Sequence, residues 1–105
     1  MKSTMIKPIN VIDNTELPYV SVNHTLTDGD PLEIKGEMYY VCDSSDKKQT
    51  GAMEIGVIPL VVRNPAKVPN IDEYIKCLSI AHRKVQYKNK KGICDLTDCD
   101  EMIIS

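Results

Sequence analysis

Four cysteines and two histidines are the residues of this chain best suited to chemistry. Thiolate and imidazole are good zinc ligands, and a structural zinc site needs four ligands held close together. The spacing does not favour such a site, because no two cysteines are separated by only two residues. Cys77 and His82 differ by five positions, or roughly 500° of helical rotation, and so do not share a helix face. We therefore predict no metal site.

The same residues give little support for catalysis. A general base needs a proton donor within reach and usually an orienting group, and the sequence around His24 and His82 supplies neither. Free cysteine is commonly buried as a small apolar side chain, which is our interpretation of Cys42 and Cys77. No catalytic residue is predicted.

The C-terminal segment combines two cysteines with several carboxylates. Cys94 and Cys99 would meet if this segment folds as a hairpin, so a redox or metal pair stays open as the alternative to two separate thiols. The carboxylates do not follow the order of ligands in a calcium-binding loop, and we interpret them as a solvated acidic turn. They are Asp95, Asp98, Asp100 and Glu101.

Charge is distributed unevenly over the last third of the chain. Residues 71–91 carry six Lys or Arg against two acids, whereas residues 92–105 carry four acids and no base. Two interpretations follow: the acidic segment folds back and neutralises the basic one, or the basic one contacts a phosphate backbone. The candidate nucleic-acid-binding residues are Arg83, Lys84, Tyr87, Lys88, Lys90 and Lys91.

Composition excludes several function classes. A chain of 105 residues has room for one core, and its net charge of -2 gives no overall attraction to nucleic acid. The only aromatic residues are five tyrosines, which lowers the expectation of base stacking. Residues 64–69, which lead into the predicted helix, contain no glycine for a phosphate-binding loop, and the common hydrolase signatures are absent. No cofactor and no enzymatic activity are expected.

The distribution of apolar residues predicts a cytoplasmic protein with reduced thiols. The first twenty residues contain no apolar run long enough for the core of a signal peptide, and no window approaches a membrane span. We therefore expect no membrane partner and no disulfide framework.

Turn residues and β-branched residues predict the organisation of the first two thirds. Residues 1–16 show no sustained periodicity and are predicted as an extended N-terminal arm, which either lies across its own domain as an edge strand or is held by a partner. A single domain over 17–105 follows. A polar stretch over 43–51 is predicted as a mobile loop, and Lys35-Gly36 as a tight reversal. The predicted strands lie near 18–26, 31–35, 37–43 and 53–63.

One amphipathic helix is predicted over about 70–87, with Asn70 as its N-cap. Two short strands, 93–96 and 102–104, then form a C-terminal β-hairpin. The fold class is therefore α+β, a small β-meander or partly open barrel packed by one helix.

These observations favour a non-enzymatic structural or protein-interaction module. It would act as an accessory component of a larger assembly, for example a virus particle or mobile-element machinery, and would dock through a sheet edge and its N-terminal arm. The partner is another protein or a second copy of the chain. The alternative is a nucleic-acid-binding protein that resembles an oligonucleotide-binding barrel in the order of its elements and uses the basic end of the helix.

Overall fold

The computed structural model describes residues 4–49 and 52–105 of the chain. Contacts divide the chain into two compact units, Met1–Pro59 and Leu60–Ser105. The predicted α+β class is confirmed, because the described residues form two sheets, one helix and a hairpin near the C-terminus. Neither sheet closes into a barrel in the described part. No helix there is long and apolar enough to cross a membrane.

The first unit is a mixed six-stranded sheet. Its strand order is β2-β1-β6-β5-β4, and β3 also pairs with β1. All neighbours are antiparallel except β1 and β6, which are parallel. The strands are β1 (Thr4–Asn10), β2 (Thr15–Glu16), β3 (Val20–Val22), β4 (Pro31–Ile34), β5 (Glu37–Gln49) and β6 (Ala52–Pro59).

Much of the predicted N-terminal arm is strand β1, inside the sheet. One side of β1 pairs with β2 and β3, and the other pairs with β6, where Ile6 lies opposite Met53. The Ile6 side chain is only 2% exposed. Local sequence could not show this, because the β6 partner lies far along the chain.

The predicted domain boundary after residue 16 is a separate question. A compact unit is not by itself a separately folding domain, so this division stays a prediction.

One buried cluster of the first unit packs on one face of its sheet, and Tyr40 and Ile58, which alternate with its members, are buried on the other face. Val41 and Val57 are partners across β5 and β6 and are fully buried. The Lys35-Gly36 reversal is confirmed: both residues have positive φ, 51° and 80°, as a two-residue hairpin turn of the right twist requires. The buried cluster comprises Ile6, Val22, Leu26, Leu32, Ile34, Tyr39, Val41, Ile55 and Val57.

The predicted loop over 43–51 was wrong for residues 43–49, which extend β5, whereas residues 50 and 51 lie outside the described part. The pairing of β5 with β6 shifts register twice, between Val41 and Asp43 and between Asp43 and Lys47. Each shift inserts extra residues into β5 only, as a β-bulge does. The bulges interrupt the two-residue alternation that identifies a strand, and the polar composition therefore looked like a loop.

The second unit is a four-stranded antiparallel sheet with one helix. Its strand order is β7-β10-β8-β9. Single-turn helices at Pro65–Lys67 and Leu96–Asp98 lie in the connections. The remaining elements are β7 (Val61–Arg63), α1 (Ile71–Ile80), β8 (Val85–Asn89), β9 (Gly92–Ile93) and β10 (Glu101–Ile104).

Helix α1 starts where predicted but ends at Ile80 instead of 87. His82 has a φ of 65°, and the next amide, Arg83 N–H, donates to Leu78 O at 2.9 Å, which closes a Schellman motif. The chain then reverses into β8. Asn70 is the N-cap, as predicted, but its side chain makes no capping hydrogen bond.

The C-terminal hairpin joins β8 to β9 through the two residues Lys90 and Lys91. Gly92, the first residue of β9, has a φ of 112°, a conformation that side chains disfavour. The predicted strand at 102–104 is confirmed as part of β10. It does not pair with β9, because β8 lies between them in the sheet. The sequence pattern missed β8, since its residues also continue the helical periodicity.

Candidate functional site

The six predicted nucleic-acid-binding residues do not share one surface. Side chains alternate along β8, so Tyr87 and Lys88 lie on opposite faces of the sheet. Tyr87 is half-buried opposite the fully buried Met102, and loss of solvent raises the pKa of its hydroxyl. The tyrosine therefore faces the interior of its unit, away from the lysines.

The cations in the predicted set occupy both ends of β8. Arg83 and Lys84 precede the strand, where Lys84 exchanges backbone hydrogen bonds of 3.0 and 2.9 Å with Ser105. Lys90 and Lys91 lie in the turn that follows it. A five-residue strand separates these ends by roughly 16 Å. Arg83 and Lys84 are therefore too far from the lysines that follow β8 to share one contact surface with them.

A shallow groove of about 530 Å³ is lined by Lys88 and Lys90 of the predicted set, whereas Lys91 lines a neighbouring pocket with Asp98. Glu101 is the cross-strand partner of both Arg63 and Lys88, so a carboxylate lies between two cations on this sheet. Three cations and two carboxylates therefore share the groove, and its net charge is small. The lining residues are Arg63, Asn64, Lys88, Asn89, Lys90, Asp100 and Glu101.

Sequence analysis missed Arg63 as a member of this groove. Its position on an antiparallel strand beside β10 depends on pairing with residues almost forty positions later. The available signal was the alternation of Val61, Val62 and Arg63, in which Val62 is buried and its two neighbours are exposed.

The outer edge of β7 is the second candidate surface. Ile104 N–H donates to Leu60 O and Asn64 N–H donates to Asp100 O, both at 2.9 Å. In an antiparallel pair, alternate residues direct their backbone groups towards the partner strand, so the N–H and C=O of Val61 and Arg63 point away from β10. Within the described residues, β7 pairs with β10 alone. The Val61 side chain is 41% exposed.

The edge of β4 has a weaker capacity for pairing. The tight turn makes Ile34 and Glu37 a hydrogen-bonded pair, so the backbone groups of Pro31 and Glu33 point outward. Proline has no N–H to donate. This edge therefore presents one donor, from Glu33, whereas β7 presents two.

The thiols and imidazoles do not gather into a metal site in the described residues, where no group of three potential ligands was found. Cys42 and Cys99 are buried, and Cys77 and Cys94 are partly buried. His24 and His82 are exposed. Cys94 follows β9 and Cys99 follows the single-turn helix Leu96–Asp98, and the Cys99 thiol donates to the backbone carbonyl of Glu101.

An ion pair links three strands of the first unit. The Lys7 ammonium lies 2.7 Å from a carboxylate oxygen of Glu16 on β2 and 3.9 Å from one of Glu54 on β6. The hydrogen bond to Glu16 is the largest cause of the raised pKa of Lys7. This arrangement has a structural explanation, because it joins neighbouring strands, and we assign it no binding role.

Comparison with known proteins gave no match to a protein-family model, to a curated protein or to a solved structure.

Proposed function

We propose that the protein is a non-enzymatic interaction module that associates with a second copy of itself through β7. The supporting observation is the outward-facing backbone of Val61 and Arg63 on an edge strand with an exposed apolar side chain. Unpaired strand edges are templates for the addition of another strand.

A second copy fits this edge by symmetry. If two β7 strands pair antiparallel about Val62, Val61 of one copy lies opposite Arg63 of the other. Both residues have outward backbone groups, so each such pair exchanges two hydrogen bonds, about four in all. The arrangement is self-complementary, as a two-fold interface requires, and it places no arginine directly opposite an arginine.

The side chains at this edge also suit pairing. Val61 and Arg63 lie on the same face of β7, opposite the buried Val62. In the antiparallel pair, the apolar stem of Arg63 from one copy would cover Val61 of the other. The exposed valine would thereby lose contact with water, which favours association by the hydrophobic effect.

The edge is short, and this limits the strength of the contact. A three-residue strand buries much less than the roughly 1,200 Å² typical of stable specific interfaces. A weak pairwise contact suits a component of a larger assembly, in which each subunit makes several contacts. Such an assembly, a virus particle included, is the setting of this proposal.

The N-terminal arm is not part of the proposed docking surface. Both sides of β1 pair within its own sheet, so its backbone hydrogen bonds are already made. Nucleic-acid binding is not favoured either, because Tyr87 faces inward and carboxylates line the basic groove. Fluorescence anisotropy with a labelled single strand at two salt concentrations tests that alternative.

Sedimentation velocity over a range of protein concentrations tests the proposal. We expect a reversible monomer–dimer equilibrium that is weakened at least about tenfold by Val61→Lys, because a lysine at an edge opposes strand addition. The matched control is Ile80→Lys, since Ile80 is 70% exposed on α1 and lies outside the proposed edge.

A second variant tests the backbone directly. Val61→Pro removes an N–H that points away from β10, so the internal pairing of β7 is retained while the outward donor is lost. Circular dichroism checks that each variant is folded. A wild-type chain that stays monomeric at every concentration, or a dimer that both variants leave unchanged, contradicts the proposal.

A further inference from the structure

The first unit has an open edge of its own at β3. Within the described residues β3 pairs with β1 alone, so its other side is a border of the sheet. Residues 17–27 contain no lysine, arginine, aspartate or glutamate. Edge strands are usually protected by charged side chains or by proline within the strand, and β3 has neither. This edge is therefore suited to the addition of another strand.

One residue of β3 directs its backbone outward. Leu17 N–H donates to Pro8 O at 2.9 Å, so the Pro8 carbonyl points to the side of β1 on which β2 and β3 lie. Backbone groups alternate along a strand, so those of Ile6 point the same way, towards its partner Val20. The N–H and C=O of Ser21, the next residue of β3, then point away from β1.

Exposed side chains lie beside this outward backbone. Ser21 is exposed, and its partner on β1, Met5, is 45% exposed. Tyr19, which directly precedes β3, is 56% exposed. Val20 and Val22 pack on the core, so Ser21 and, by continued alternation, Tyr19 lie on the opposite face with Met5. Two large side chains and one small one therefore share a solvent-facing border of the sheet.

We propose that β3 is a second edge for self-association, at which two copies pair antiparallel about Ser21. Ser21 then lies opposite Ser21 of the second copy, and this pair exchanges two hydrogen bonds. Tyr19 lies diagonal to that serine, at a distance that an aromatic side chain can span. Because serine is small, it leaves room for both tyrosine rings, which lose contact with water on pairing.

The lack of charge favours a second copy as the partner. A two-fold pairing places the same segment of both copies side by side, so a charged residue near the axis would lie close to its own like charge. At β3 no such repulsion arises, because residues 17–27 carry no acidic residue, lysine or arginine. A partner recognised by its charge would find no complementary group on this segment.

The β3 contact is weaker than the proposed β7 contact, because it exchanges two hydrogen bonds instead of about four. It should therefore form at higher protein concentration. The β3 contact itself does not depend on the proposed function, but its consequence does: a chain with two different two-fold edges joins more than two copies. Dimers formed through β7 are then linked through β3 into longer assemblies.

Sedimentation velocity of the full chain with Val61→Lys tests β3, since this substitution weakens the other edge. We expect dimers at high protein concentration, and we expect the addition of Ser21→Lys to raise their dissociation constant at least about tenfold. Adding Ser21→Pro, which removes the outward N–H but no hydrogen bond to β1, should have the same effect. The matched control is Ser79→Lys, since Ser79 is an exposed serine on α1.

Ser21→Lys in a chain that retains Val61 separates the two edges. It should form dimers through β7 but no larger species, whereas the wild-type chain should exceed the dimer at the highest concentrations. Circular dichroism checks folding, and either folded Ser21 variant suffices. The β3 contact is contradicted if Val61→Lys stays monomeric at every concentration, or if its dimer is equally strong with and without a Ser21 substitution.

Discussion

The end of helix α1 depends on the backbone conformation of one residue, His82. It occupies the position at which a Schellman motif needs a left-handed residue, and its φ is 65°. His82 N–H donates to Ser79 O at 3.0 Å and is followed by the longer-range bond from Arg83. Glycine is the usual residue here, because a side chain makes the left-handed conformation less favourable.

We therefore expect His82→Gly to stabilise the protein. The left-handed conformation costs about 1 kcal/mol or more with a side chain, and the greater freedom of glycine in the unfolded chain removes part of this gain. The net increase in the free energy of unfolding should be about 0.5 kcal/mol, measured by urea denaturation. His82→Ala keeps the strain and serves as the control. If both variants lower stability equally, the strain at this residue is not significant.

The same residue shows why sequence analysis placed the helix end seven residues too late. Its side chain gives no stop signal, and Val85 continues the apolar spacing of the helix. By contrast, the start at Asn70 was predictable, because a capping residue precedes acids and a regular apolar face. The groove residue Arg63 was not predictable, since its neighbours come from a distant strand.

Among the elements, β1 lies inside its sheet, where the sequence suggested an extended arm or an edge strand. An arm and an interior strand differ in the burial of adjacent side chains. In a strand, alternate residues face opposite sides of the sheet, so one of two neighbours can be buried while the other is exposed. Ile6 is buried in the cluster of the first unit, whereas Met5 is 45% exposed. Two neighbouring substitutions therefore distinguish the two descriptions.

Ile6→Ala should lower the free energy of unfolding by about 2–4 kcal/mol, because it removes buried methyl groups and leaves a cavity. Met5→Ala, one residue earlier and exposed, should change it by less than about 0.5 kcal/mol. Chemical denaturation of both variants measures the difference. Equal and small effects would show that this segment behaves as a loosely held arm.

A strand pairing could be predicted only where the two strands are close together in the sequence. The β4–β5 hairpin was predictable, since its turn residues and alternation are adjacent in the sequence. The parallel pairing of β1 with β6 and the bulged extension of β5 were not, because neither leaves a local pattern. Composition thus established the class of the fold, while long-range pairing determined which edge strand is open.

For the whole molecule, the β7 proposal links stability to protein concentration. If the folded chain self-associates through Val61 and Arg63 and the unfolded chain does not, association stabilises the folded state by mass action. The basic groove gives no comparable link, because its cations and carboxylates already belong to the same unit.

The thermal midpoint should therefore rise with concentration once the dissociation constant is exceeded. A tenfold increase in protein concentration favours a dimer by about 1.4 kcal/mol, or about 0.7 kcal/mol per chain. For a chain of this size, this corresponds to a rise in the thermal midpoint of about 3–6 °C. Scanning fluorimetry or calorimetry over a concentration series measures the midpoint. Val61→Lys should show this rise only at protein concentrations at least about tenfold higher, while Ile80→Lys should behave like the wild type. A midpoint equally dependent on concentration in Val61→Lys would place the association at another surface.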